Sequence, residues 1–152
     1  MRICCDIDGV LADVREYVSK YVPHDWKTYF SYTRKFEPIL PIAELAHRWS
    51  QHFQLYLVTG RPESNRTLTE EWLRGQLPEL RYDNLRMRPD DDHRSGTEIK
   101  LEWFKELKPD LIIDDSSRTA EAATKAGYVA LQVHGYRTTE NDFVPENYLK
   151  EK

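Results

Sequence analysis

The chain has 152 residues, a formal net charge of -4 and 39% apolar residues. That length suits one domain around one ordinary core, taken as residues 1–152. The acidic balance argues against a general nucleic-acid binder, which is usually basic, but leaves room for a local cationic groove. Cys4 and Cys5, the only cysteines, are adjacent in an apolar run. Neighbours on a strand point to opposite faces, so both are expected reduced and buried. No charged-then-apolar leader precedes the first strand and no apolar run is long enough to span a membrane, so the expectation is a soluble, cytoplasmic protein.

In chain order, five short apolar segments predict strands: 3–7, 55–59, 84–87, 111–114 and 129–133. None alternates cleanly, which suits strands covered on both faces. Between them lie helical patterns. Ile42, Leu45, Ala46, Trp49 and Phe53 make one, with Pro41 in its first turn. Leu68, Trp72, Leu73, Gln76 and Leu77 make a second, and Ile99, Trp103 and Leu107 a third that Pro109 closes. Residues 116–126 form an alanine-rich fourth, with Gly127 as its stop. Strand and helix in alternation predict a parallel sheet with right-handed crossovers, hence an α/β Rossmannoid three-layer sandwich with five central strands. Residues 14–38, rich in Tyr, Trp and Phe, lack a sustained helical period and read as a helix start followed by a small irregular cap. The polar tail from Thr138 onward is expected to hug the surface or fray.

In such sheets, ligands sit at the carboxyl ends of the strands. Asp6, Asp8, Thr59, Asp114 and Asp115 all fall at or just beyond those ends. Asp6 is placed to attack phosphorus, and Asp8 to protonate the leaving oxygen and later activate water. Gly9 permits the turn between strand and loop. Asp114 and Asp115 close a buried strand, where uncompensated carboxylates are costly unless a cation neutralises them. Mg2+ suits this oxygen-only set, with Asp6, Asp114 and the Asp8 carbonyl as direct ligands and Asp115 holding a metal water. Thr59 and the Gly60 amide can bind phosphoryl oxygens, and Arg61 can clamp substrate. Lys100 would neutralise the aspartates and steady the phosphate. Taken singly, each motif has a plainer reading: a polar turn at Asp6-Ile7-Asp8-Gly9, an N-cap at Asp115 or Ser116, a solvated arginine or lysine at Arg61 or Lys100.

Together, the order Asp-x-Asp-Gly, strand-Thr-Gly-Arg, Lys, strand-Asp-Asp resembles the haloacid dehalogenase superfamily from about Ile3 to Val133. Thr59-Gly60-Arg61-Pro62-Glu63, Arg66, Thr69, Trp72-Leu73, Leu85-Arg86-Met87-Arg88, Asp91, Arg94, Lys100 and Ile113-Asp114-Asp115 resemble in particular the 3′-phosphatase domain of phage polynucleotide kinase–phosphatases. That resemblance implies a Mg2+-dependent phosphatase with Asp6 as nucleophile, Asp8 as acid/base, Thr59 on the phosphate, Lys100 as the supporting lysine and Asp114 with Asp115 at the metal. No P-loop occurs, so no kinase half is expected. Relatives often carry an acid four residues before the lysine. Here Gly96 stands there, with Glu98 as a substitute nearby.

The expected partner is a phosphorylated nucleic-acid 3′ end or a nucleotide, with no membrane and no obligate protein partner. Arg61, Arg66, Arg86, Arg88 and Arg94 are candidates to gather around the entrance and meet further phosphates. Trp26, Tyr29 and Tyr32 can stack on bases, although packing of the cap onto the sheet is the plainer role for them. Two rivals stand beside the 3′-phosphatase. One is a deoxyribonucleotidase, which Asp6–Asp13 also resembles, and the other an inactive module that binds metal or nucleic acid. Carbon–halogen hydrolysis needs neither the second acid nor the metal pair.

Overall fold

The computed structural model describes residues 1–135. The tail from Thr138 onward lies outside the described residues. Strand β1, Arg2–Cys5, is followed by a tight loop and the two-residue strand β2, Ala12–Asp13. Helices α1, Arg15–Tyr21, and α2, Trp26–Ser31, lead into a 3-10 turn, Thr33–Lys35, and strand β3, Glu37–Pro38. Then come α3, Leu40–Ser50; β4, Gln54–Pro62; a 3-10 turn, Glu63–Asn65; and α4, Arg66–Gln76. The described chain finishes with β5, Asn84–Arg88; α5, Gly96–Leu107; β6, Leu111–Asp114; α6, Ser117–Lys125; and β7, Ala130–Gln132.

The main sheet has the order β5-β4-β1-β6-β7, and every pairing in it is parallel. Its two faces are built from alternate residues of the same strands. Ile3, Cys5, Leu55, Leu57, Leu85 and Ile113 pack with Ala46 of α3 and Trp72 and Leu73 of α4. Cys4, Val58 and Ile112 pack on the opposite side with Ile99, Trp103 and Phe104 of α5 and Ala123 of α6. The fold is therefore the expected α/β sandwich. Cys4 and Cys5 are free, buried and divided between the two layers.

The last two crossover helices carry clear local signals at their ends. A capping box opens α5, with Ser95 accepting from the Glu98 amide while the Glu98 side chain returns to the Ser95 amide. Glu98 is thereby committed to the helix start. In α6, Ser116 is the N-cap, its hydroxyl accepting from the Thr119 amide. Gly127 follows with φ 92, and a Cβ there would meet nothing within 4 Å. Gly127→Ala is therefore expected to cost about 1–2 kcal/mol through backbone strain alone, read as a lower urea midpoint with unchanged slope.

The cap holds more regular structure than expected. Asp25 caps α2 by accepting from the Thr28 amide, and β2 pairs antiparallel with β3 at the base of the insertion. Tyr29 and Phe36 are buried in the core, and the Trp72 indole donates to the Phe36 carbonyl at 2.7 Å, tying cap to α4. Tyr17, Tyr21 and Tyr32 pack ring on ring. Among the described residues no helix is long and apolar enough to cross a membrane.

Candidate active site

The loop after β1 sets the first two carboxylates. The Asp6 amide donates to the Ile113 carbonyl, so Asp6 still belongs to the sheet, held beside β6. The amides of Val10, Leu11 and Ala12 then converge on the Ile7 carbonyl, and Gly9 adopts φ 78 to make that turn. Asp8 is thus brought back over the strand end.

Three carboxylates meet there. Asp6, Asp114 and Asp115 are each nearly inaccessible, and each offers an oxygen within 4.8 Å of the others. The Lys100 ammonium, delivered by the first turns of α5, donates to Asp6 Oδ2 at 2.5 Å and to Asp114 Oδ2 at 2.7 Å. The second oxygens take backbone donors: Ile7 N–H to Asp6 Oδ1 and Ser116 N–H to Asp114 Oδ1. Because Ser116 caps α6, Asp115 is not spent as a helix cap.

Burial pushes the Asp6 carboxyl up to about 7; Lys100 opposes that rise, and the nearby Asp114 and Asp8 carboxylates add to it. Burial alone would lower Lys100, but Asp114 and Asp6 outweigh it and hold the ammonium protonated. Lys100 bridges Asp6 and Asp114, and the buried carboxylates of Asp6, Asp114 and Asp115 crowd their oxygens together at the strand ends. A hard cation fits that all-oxygen donor set, so Asp6, Asp114 and Asp115 are able to hold a metal ion.

Asp8 is fixed differently. Arg61, wholly buried, donates from Nε to both Asp8 oxygens and from Nη2 to Oδ1 at 2.5 Å. Its Nη1 donates to Thr69 Oγ1 at 3.1 Å, and the guanidinium lies over the Phe36 and Trp72 rings. Arg61, expected to clamp a ligand, is thus part of the wall that orients Asp8. Thr59 Oγ1 accepts from the Arg61 amide, which leaves its hydroxyl proton available to the cavity.

One cavity of about 580 Å³ is lined by Asp6, Asp8, Thr59, Gly60, Arg61, Arg88, Lys100 and Asp115, with cap residues Trp26, Tyr29 and Phe30. Arg88 enters it with Nε donating to the Gly60 carbonyl and Nη1 to the carbonyls of Asp92 and Arg94. A Cβ at Gly60 or at Gly96 would stand 3.8 Å from Arg88 Nη2, so the glycine four residues before Lys100 borders this arginine. The other expected arginines do not line the cavity. Arg86 pairs with Glu106, Arg94 with Asp92 and Glu102, and Arg66 with Glu63 and Glu70. Tyr32 is likewise absent from the lining, whereas Ser95, Thr97, Arg118 and Thr119, not singled out from the sequence, and Ser116, read there only as a cap, belong to it. Their signal was positional: all stand in the first turns of the two helices that carry or follow the site's acids and lysine.

A parallel sheet with an acid loop after its first strand, a small cap and a lysine that bridges an acid of that loop to an acid ending the neighbouring strand defines a haloacid dehalogenase-type fold. The model of the polynucleotide kinase PNKP phosphatase domain matches residues 1–137, and the chain belongs to that family. Among solved structures, a chain of the Pnkp1/Rnl/Hen1 complex superposes with TM-score 0.70 at 24% identity, over 87% of this chain and 44% of that one. The chain thus spans less than half the length of that relative. CbbY from Rhodobacter sphaeroides, in complex with phosphate, gives TM-score 0.60 at 14% identity over 95% of this chain and 90% of its own. A haloacid dehalogenase family enzyme from Bacteroides thetaiotaomicron, in complex with magnesium and inorganic phosphate, gives 0.52 at 11%, over 86% and 92%. These likenesses are of fold. Comparison with curated proteins gave no match.

Proposed function

We propose that the chain is a Mg2+-dependent phosphomonoesterase that removes the 3′-terminal phosphate from a polynucleotide. The observation that carries this reading is the meeting of Asp6, Asp114 and Asp115 within 4.8 Å, with Asp6 and Asp115 lining a cavity that also holds Asp8 and Thr59. Family membership supports the same chemistry. Asp6, Asp114 and Asp115 would hold the ion. When bound, Mg2+ supplies charge neutralisation that lets an anionic nucleophile approach an anionic phosphate.

The chain's own groups do the rest. An Asp6 carboxylate oxygen attacks phosphorus in line, forming an aspartyl-phosphate as the bond from phosphorus to the 3′ oxygen breaks. Asp8, held by Arg61, gives its proton to the departing 3′ oxygen. The Asp8 carboxylate then takes a proton from a water whose oxygen attacks the same phosphorus, releasing inorganic phosphate and restoring Asp6. The Thr59 hydroxyl donates to a phosphoryl oxygen throughout, Lys100 offsets charge on Asp6, and Arg88 faces the phosphate end of the substrate. Asp8→Asn keeps one acceptor for Arg61 but cannot move a proton. Its kcat is expected to fall by about 10^2–10^4-fold, measured on a 3′-phosphorylated oligonucleotide.

The ion and the Asp6 proton compete. A carboxyl whose folded pKa is raised contributes stability that is present below its unfolded value and lost as pH rises through about 7. Mg2+ requires the ionised form and offsets that loss. The rise in Tm on adding Mg2+ is therefore expected to be larger near pH ~8 than near pH ~5.5, checked by thermal melts in both buffers.

The substrate assignment is tested by a Mg2+-dependent screen of 3′- and 5′-phosphorylated oligonucleotides against free nucleoside monophosphates. Preference for the 3′-phosphorylated oligonucleotide is expected. Preference for monophosphates would mark a nucleotidase, and no turnover at all a binding module.

A further inference from the structure

The cavity is graded from a buried floor to an open mouth. Asp6, Thr59, Lys100 and Asp115 are 5% exposed or less, whereas Arg118 is exposed and Trp26 is 46% exposed, although both line the same space. Of the cavity's cations, Arg61 is paired with Asp8 and Lys100 with Asp6 and Asp114. Arg88 is held by neutral carbonyls. Among the described residues, no ion pair or hydrogen bond engages the Arg118 guanidinium. It is therefore a full positive charge beside the mouth, away from the floor where a transferred phosphate would meet Thr59 and Lys100.

Trp26 stands on the cap side of the same mouth. Its ring is stacked on Phe30 with centroids 5.7 Å apart and planes 22° from parallel, and it meets Tyr29 edge-on at the same distance. Tyr29 is buried, so the indole rests on a fixed aromatic base with a large part of its surface facing solvent. An exposed ring backed in this way is a platform for another flat ring, and the Arg118 guanidinium lining the same cavity suits a phosphodiester. A nucleic-acid strand presents both groups together with a terminal phosphate.

Resting on the phosphatase reading above, we infer that Arg118 and Trp26 seat the nucleotide on the 5′ side of the terminal one, Arg118 on its linking phosphodiester and Trp26 on its base. The site thereby favours an unpaired 3′ end of two or more nucleotides over a mononucleotide.

The test compares kcat/KM, with Mg2+, for a 3′-phosphorylated trinucleotide, thymidine 3′-phosphate and p-nitrophenyl phosphate. In the wild type the trinucleotide should be strongly preferred. Arg118→Ala should lower the trinucleotide-to-mononucleotide ratio about tenfold and reduce the slope of log kcat/KM against log salt by about 0.7, with Arg118→Lys recovering part of both. Trp26→Ala should lower the same ratio about fivefold, and Trp26→Phe should retain it. Variants that depress all three substrates equally, or none, would overturn the inference while p-nitrophenyl phosphate turnover keeps the phosphatase reading standing. Absence of turnover on every substrate in the wild type would overturn both.

Discussion

Asp6→Asn is expected to lower kcat by more than about 10^4-fold while leaving the fold intact. An amide oxygen is too weak a nucleophile to form the phosphoenzyme, and the remaining groups can only bind. The structural cost should be modest: Asn keeps the acceptor for the Ile7 amide, its amide nitrogen has to move off the Lys100 ammonium that Asp6 Oδ2 accepted from, and Lys100 retains Asp114. Removing one of three crowded carboxylates also relieves mutual repulsion. The variant should melt within a few degrees of wild type without Mg2+ and gain less from added Mg2+, since it lacks one ionic oxygen ligand. Circular dichroism melts and steady-state kinetics on one preparation separate these effects. A variant that unfolds would assign Asp6 to the fold instead.

The second large effect falls on stability. Lys100→Met keeps most of the hydrocarbon stem but withdraws the ammonium from between Asp6 and Asp114, both buried. Leaving buried carboxylates without that partner is expected to cost about 3–5 kcal/mol in the metal-free protein. Mg2+ binding at the same acids should restore part of the loss, so the destabilisation measured by urea titration should shrink when the ion is added. Turnover should fall by about 10^2–10^3-fold, because charge near the reacting phosphate is no longer offset. A mutant as stable as wild type without Mg2+ would show that the lysine does not hold the acids in solution.

The convergence of the acids was legible because it follows from topology. β1 lies between β4 and β6, so groups that end these strands are neighbours however far apart they stand in sequence. The direction of individual side chains was not legible. Arg61 follows Thr59-Gly60, but β4 runs on to Pro62 and the Phe36 and Trp72 rings enclose the guanidinium, turning it onto Asp8. Arg86 and Arg94 had acids available in Glu106 and Glu102 of α5, pairings that only the tertiary fold reveals, and Arg94 had Asp92 two residues away in its own loop. In the cap, the Asp25 N-cap of α2 was present in the sequence but obscured by aromatic residues at several spacings. Three of those aromatics, Tyr29, Phe36 and Tyr32, serve packing, and among the described residues Trp26 alone of the large apolar exposed side chains lines the cavity.

The most direct test is chemical trapping on Asp8→Asn with p-nitrophenyl phosphate and Mg2+. Departing p-nitrophenolate needs no proton, so attack by the first carboxylate should proceed while hydrolysis stalls. Acid quench and peptide mass spectrometry should find phosphate on the peptide containing Asp6, and no phosphopeptide when Asp6→Asn is added. Continued turnover with no phosphorylated peptide, or phosphate on any other side chain, would contradict nucleophilic attack by Asp6.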